Sequence, residues 1–175
     1  MHKNNPAFRV AMLGVLAALN VIAAELLKFP VIPKVLELNF GFVPLAVAGM
    51  LFGPVSAVLV GIVGDIVGAA IFSAGDFYFG YTLTAALTGL FYGLLLHKQA
   101  DGKARLLRVL AAQTLVSLIC FAGLNTLWAW QMGYGRSEAY IRTRLLVNLV
   151  AYPIYCLVLM LIWRYRKNLE RAVRA

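Results

Sequence analysis

The sequence predicts an all-α membrane protein, a single domain over residues 1–175 built as a bundle of six transmembrane helices with both termini on the cytoplasmic side. The first observation behind this is composition: the chain is 62% hydrophobic and only 13% charged, with a mean hydropathy of +0.83. Soluble domains run at ~45–50% apolar and ~25% charged. The second is segmentation, because the apolar residues form six runs separated by glycine, proline and charge. The third is an asymmetry in the basic residues, which fixes the direction of threading.

A spanning helix needs about 20 apolar residues, fewer if it leans on its neighbours. The runs place spans near 7–28, 39–52, 54–72, 80–97, 106–131 and 140–164. The first run follows a short polar start, is long for a signal-peptide core and lacks a small-x-small cleavage site, so it reads as a retained span. The second is short, and Phe52-Gly53-Pro54 breaks it from the third, since glycine favours a helix end and proline a helix start. Pro30 and Pro33 bracket the first loop. Gly75-Asp76 and Gly80 flank the aromatic turn Phe77-Tyr78-Phe79, and Gly133 and Gly135 open the loop after the fifth span. No internal repeat is present, which argues against an inverted-repeat transporter.

One side of this layout collects Lys3, Arg9, Lys98, Lys103, Arg105, Arg108, Arg164, Arg166, Lys167, Arg171 and Arg174. The other holds Lys28, Lys34, Arg136, Arg142 and Arg144. The richer side is cytoplasmic by the positive-inside rule, so the loops near 29–38, 73–80 and 132–139 lie outside. Trp128, Trp130, Tyr134 and Tyr140 fit an outer aromatic belt, and Trp163 and Tyr165 an inner one. The net charge of +9 is explained by these flanks. No basic stretch alternates with aromatics over a polar surface, so nucleic acid is not an expected partner; membrane lipid is.

Asp65 stands alone in the apolar run from Val58 to Ile71. An acid near the centre of a span costs roughly 2.5–3.5 kcal/mol even on the lenient insertion scale, so it either serves a site or pairs with a cation to lock the bundle. Depth arithmetic at ~1.5 Å per residue puts Asp65 and Asn125 each about two turns below the outer ends of their helices. Arg144 and Asn148 lie one to two turns into the sixth. Tyr81, Thr82 and Thr84 start the fourth span just above, and Phe40, Phe77, Tyr78, Phe79 and Trp128 are close in height. Aromatic walls with a few convergent polar groups are the composition of a small-molecule site. The competing reading is an Asp65–Arg144 ion pair with interhelical amide bonds.

A carboxylate can accept two parallel hydrogen bonds from an amino-azine edge such as that of a pterin, and aromatic faces can sandwich the ring. Lys28, Lys34 and Arg136 at the outer mouth suit an anionic tail, although each alone reads as a solvated loop charge. Catalysis finds no support. His2 and His97 lack motif partners, and no H-E-x-x-H, G-x-S-x-G or P-loop occurs. Cys120 and Cys156 give no disulfide framework and no metal-ligand spacing. No cofactor and no metal are expected.

Small residues recur at offsets of 4, 7 and 11 on three helices: Ala7, Ala11, Gly14, Ala18 on the first, Ala57, Gly61, Gly64, Gly68 on the third, and Thr82, Ala86, Gly89, Gly93 on the fourth. Each set falls on one face, and membrane helices associate by close backbone approach over such faces. Internal packing is expected for the third and fourth, while the first also suits docking of another membrane protein.

With these residues in view the chain resembles the S components of energy-coupling factor (ECF) transporters, and within them the folate-specific branch. The resemblance is carried by Asn39 to Pro54 (NFGFVPLAVAGMLFGP), Val60 to Asp65 (VGIVGD), Phe79 to Gly93 (FGYTLTAALTGLFYG) and Asn125 to Trp128 (NTLW). It implies a non-catalytic, vitamin-capturing subunit of the bacterial cell membrane, which docks on a transmembrane coupling subunit and two ATPase subunits. It also implies that the first-helix stripe, Ala7, Ala11, Gly14 and Ala18, meets the coupling subunit. The leading expectation is binding of folate or a reduced folate by Asp65, Asn125, Arg144, Asn148, Tyr81, Thr82, Phe79, Tyr78, Phe40, Trp128 and Lys28. The alternatives are an S component for another heteroaromatic, pterin-like or a hydroxymethylpyrimidine, and a membrane assembly subunit without a ligand.

Overall fold

The computed structural model describes residues 6–32, 36–72, 77–97, 103–133 and 137–174. Helix α1 runs Pro6–Glu25, α2 Phe42–Phe52, α3 Pro54–Phe72, α4 Phe79–Leu96, α5 Lys103–Gln131, α6 Glu138–Arg164 and α7 Arg166–Arg174. Five of them, α1, α3, α4, α5 and α6, are long and apolar enough to cross a membrane. At 11 residues, α2 rises only about 16 Å, well short of the ~30 Å hydrocarbon layer.

Its role is central all the same. Phe42, Leu45, Ala46, Ala48, Met50 and Leu51 are all buried, and a helix that is apolar all round belongs in a core. Gly53 closes it in the left-handed region, φ +88°, with its N–H on the carbonyl of Gly49. Pro54 then opens α3, so the break falls where the glycine–proline pair puts it.

The expected small-residue packing of α3 and α4 is present. A Cβ on Gly61 would lie 2.6 Å from the Ala85 oxygen, one on Gly89 2.4 Å from the Ala57 oxygen, and one on Gly93 2.2 Å from the Pro54 Cα. The backbones touch, which is how helices gain contact area where lipid supplies no hydrophobic drive. Higher on α3 the stripe turns to α1, where Gly64 makes room for the amide of Asn20.

Two elements differ from the sequence expectation. The first loop holds a short antiparallel hairpin, β1 Lys28–Ile32 and β2 Leu36–Asn39, pairing Lys28 with Asn39 and Phe29 with Leu38. Alternating Leu36-Glu-Leu-Asn39 suits a strand, and Pro30 sits beside the register irregularity, where proline is tolerated. The strand also ends α1 three residues early. The second difference is within α5, whose segment Val116–Leu124 is a π-helix. Beyond α6, the nine-residue α7 is amphipathic. Its Arg166, only 7% exposed, donates to the carbonyls of Leu96 (3.0 Å), Met50 (3.3 Å) and His97 (2.8 Å) and pairs with Glu170 at 2.7 Å. It thereby satisfies orphan carbonyls at the ends of α2 and α4.

Candidate functional site

A cavity of about 600 Å³ opens between α1, the hairpin end, α3, α4, α5 and α6. That volume lies within the range of small-molecule sites. The close contact of α3 and α4 sets its floor: Asp65 follows Gly64, and its Oδ2 accepts a hydrogen bond from Thr82 Oγ1 at 2.6 Å. Asn20 on α1 reaches over Gly64, and its Nδ2 donates to the Gly41 carbonyl at 2.6 Å. Asn39 completes this corner, its Oδ1 accepting the Gly41 N–H at 2.6 Å and its Nδ2 donating to the Ala24 carbonyl at 3.3 Å. Glu25, at the end of α1, also lines the cavity.

The opposite wall comes from α5 and α6. Asn125 and Phe121 face in from α5. The Oδ1 of Asn125 is buried with no hydrogen-bond partner among the described residues, as is the neighbouring Thr126 Oγ1. On α6, Arg144 donates to the Tyr140 hydroxyl at 2.9 Å, with its guanidinium 5.8 Å from that ring's centre. Asn148 Nδ2 donates to the Arg144 carbonyl at 2.9 Å. Aromatic surface is supplied by Phe42, Phe77, Tyr78, Tyr81, Phe121, Tyr140 and Tyr155.

The rim is tied by two contacts between α4 and α5. Trp128 Nε1 donates to Thr84 Oγ1 at 3.0 Å, and the Tyr78 hydroxyl donates to Gln131. The Tyr78 and Trp128 rings are 5.8 Å apart. Gly80 lies beneath both, and a Cβ there would meet them at 2.5 and 2.6 Å.

Of the sequence-predicted residues, Asp65, Asn125, Arg144, Asn148, Tyr81 and Tyr78 line one cavity. Thr82 and Trp128 stand one layer back, holding Asp65 and Thr84 respectively. Phe40 packs on Phe42, ring centres 6.3 Å apart, rather than lining the space. Phe79 is a correction: it is 71% exposed, because each helical step turns ~100° and the first turn of α4 sends Gly80, not Phe79, to the core. The backbone of Lys28 lies in β1, opposite Asn39. Lys34, Asp76, Tyr134 and Arg136 fall outside the described residues.

The alternative Asp65–Arg144 ion pair is not formed; Asp65 takes Thr82 and Arg144 takes Tyr140. Two belt expectations also change, because Tyr140 lines the cavity and Trp163 is buried beneath Arg166. Trp130 and Tyr165 remain exposed. Sequence reasoning missed Asn20, Glu25, Asn39, Thr88 and Tyr155 as lining residues. Asn20, an amide within an alanine-rich helix, carried a signal for the polar corner.

Along α1, Ala7, Ala11, Gly14 and Ala18 are all exposed, and a Cβ on Gly14 would meet nothing within 4 Å. The core face of α1 is instead made by Leu16, Ala17, Asn20 and Val21.

Residues 5–163 match the protein family described as ECF-type riboflavin transporter, S component. A protein named folate transporter FolT from Clostridium novyi is 30% identical over 136 residues, 78% of this chain and 77% of that protein. One of the same name from Leuconostoc mesenteroides is 32% identical over 148 residues, 82% of this chain and 77% of that protein. A crystal structure of FolT bound with folic acid superposes with a TM-score of 0.79 at 29% identity, covering 89% of this chain and 92% of that one. The structure of an S component of a bacterial ECF transporter superposes with a TM-score of 0.72 at 23% identity over 92% and 96% of the two chains, a likeness of fold.

Proposed function

This chain belongs to the S-component family of ECF-type transporters, a multi-pass bacterial membrane protein, and on that premise we propose that it is the subunit that captures folate or a reduced folate for import. The observation that carries the reading is the meeting of Asp65, held by Thr82, with Asn125, Arg144 and Asn148 in one aromatic-lined cavity. A pterin edge brings N–H donors, and these suit the Asp65 carboxylate. Tyr81, Tyr78 and Phe121 are placed to cover the ring faces, while Arg144 and Asn148 suit a carboxylate of the tail. The relatives named folate transporter and the likeness to folic-acid-bound FolT support this choice. The riboflavin named in the family description is the second ring to test.

The cavity opens outside in this reading. Arg9, Lys103, Arg105, Arg108, Arg164, Lys167 and Arg171 lie toward the other end of the bundle, as the positive-inside rule asks of a cytoplasmic face. The chain hydrolyses nothing itself. It delivers its cargo by docking on a transmembrane coupling subunit driven by two ATPase subunits, and the exposed α1 face of Ala7, Ala11, Gly14 and Ala18 is the surface offered to it.

The test is a thermal-shift series on the purified chain with folic acid, 5-formyl-tetrahydrofolate, riboflavin, thiamine and a hydroxymethylpyrimidine. A ligand at 1,000 times its Kd adds about 4.1 kcal/mol of apparent stability. A large shift with folates alone, lost in Asp65→Asn and Asn125→Ala, is expected. A shift with another ring only would discard folate, and no shift with any compound would discard capture.

A further inference from the structure

The wall that α1 and α3 give the cavity carries a second carboxylate besides Asp65. Glu25, half-buried at the end of α1, lines the space. It reaches across to α3, where its Cγ and Oε1 lie 3.7 Å from the place a Cβ of Gly68 would take. Gly68 stands one helical turn beyond Asp65, and positions so related are ~5–6 Å apart. The two carboxylates are near enough for their charges to interact. Beside them, the amides of Asn20 and Asn39 donate to the backbone carbonyls of Gly41 and Ala24. The cation among the described lining residues, Arg144, stands across the cavity on α6. The α1–α3 wall therefore presents negative charge at two levels, one turn apart, a span that a fused two-ring system matches.

We propose that Glu25 makes the site selective for reduced folates, by accepting the N8–H that folic acid lacks. This rests on the folate reading above. Asp65 pairs with N3–H and one hydrogen of the 2-amino group, and the ring then has two sides that it could turn to Glu25. One carries the 4-oxo group, an acceptor in every oxidation state, which a carboxylate repels. The other carries the second amino hydrogen and N8, so this is the side that Glu25 meets. In folic acid N8 holds a lone pair; in 7,8-dihydrofolate and the tetrahydrofolates it holds a hydrogen. A carboxylate facing N8 repels the first form and accepts a hydrogen bond from the others. Hydrogen bonds to an ionised acceptor are about twice as strong as neutral ones, and the low dielectric of a membrane bundle sharpens both the attraction and the repulsion.

Equilibrium binding of folic acid, 7,8-dihydrofolate and 5-formyl-tetrahydrofolate to the purified chain tests it, with Glu25→Gln and Glu25→Ala beside the parent. The parent should bind the two reduced compounds roughly 10- to 100-fold more tightly than folic acid, as one hydrogen bond to a charged group implies. In both variants that ratio should collapse to within about threefold of unity, chiefly through weaker binding of the reduced compounds. A purely structural role for Glu25 would weaken all three ligands alike and leave the ratio where it was. Glu25→Gln nearly keeps the side chain's size, so it carries the comparison if Glu25→Ala does not fold. Equal affinities in the parent, or a ratio unchanged in the variants, would overturn the proposal and leave folate capture standing. Failure of the parent to bind any of the three would remove the folate reading, and this inference with it.

Discussion

Gly89→Ala is expected to damage both the bundle and the site, although it adds a single methyl group. Its Cβ would sit 2.4 Å from the Ala57 oxygen and 2.6 Å from the Ala57 carbonyl carbon. Both are backbone atoms, so no side chain can swing aside. Ordinary contact needs about 3.5 Å, and α3 and α4 must part by about 1 Å. Overpacking of this kind costs about 1–3 kcal/mol, of which helix propensity returns up to ~1 kcal/mol. The same parting acts on the 2.6 Å bond from Thr82 to Asp65. A 1 Å separation exceeds hydrogen-bonding range, and loss of a bond worth about 1.5 kcal/mol corresponds to roughly tenfold weaker ligand binding. Gly14→Ala is the matched control, with nothing within 4 Å of its Cβ; it should leave stability unchanged or slightly raised. Reversible unfolding in mixed detergent micelles, with folate binding measured on the same samples, reads both effects. The reasoning fails if Gly89→Ala stays within about 0.5 kcal/mol of the parent or if Gly14→Ala is equally harmful.

Two further outcomes follow from single contacts. Arg166→Met should lower unfolding stability by about 3–5 kcal/mol, because it strands the Leu96 and His97 carbonyls and the carboxylate of Glu170; Arg166→Lys should recover only part, lacking the planar fork. Trp128→Phe removes the indole donor to Thr84 and part of the ring that packs on Tyr78, and ligand washout should quicken by roughly 2- to 10-fold.

The elements that the sequence discloses are those whose cause is local. Gly53-Pro54 ends one helix and begins another wherever it occurs, and the offsets of 4, 7 and 11 on α3 and α4 mark faces that do meet. Depth arithmetic also succeeds, since Asp65, Asn125, Arg144 and Asn148 share a cavity. Partner choice is where it stops. Opposite charge favours Arg144 for Asp65, yet the glycine-lined contact brings the Thr82 hydroxyl to 2.6 Å, while Arg144 is engaged by Tyr140 four residues back on its own helix. The π-segment is a second limit. An i→i+5 turn rotates the face of the residues that follow it, and no 3.6-residue pattern can announce it. The polar corner of Asn20, Asn39 and Glu25 needed the hairpin, whose path depends on contacts between distant segments.

The cavity lies on a seam between two unlike halves. From α1 to α4 the helices meet through glycine at backbone distance: Gly41 on Ala24, Gly49 on Gly93, Gly61 on Ala85, Gly89 on Ala57. Such contacts leave little slack, because a packed interior does not deform continuously. Toward α5 and α6 the joints are buried side chains of the common core, Val109, Val116, Cys120 and Leu159 among them, with side-chain hydrogen bonds from Tyr92 to Gln113, Trp128 to Thr84 and Tyr78 to Gln131 that contribute about 0.5–1.5 kcal/mol each. Asp65 belongs to the rigid half; Asn125, Arg144 and Asn148 belong to the other. A ligand that touched both would bridge the seam.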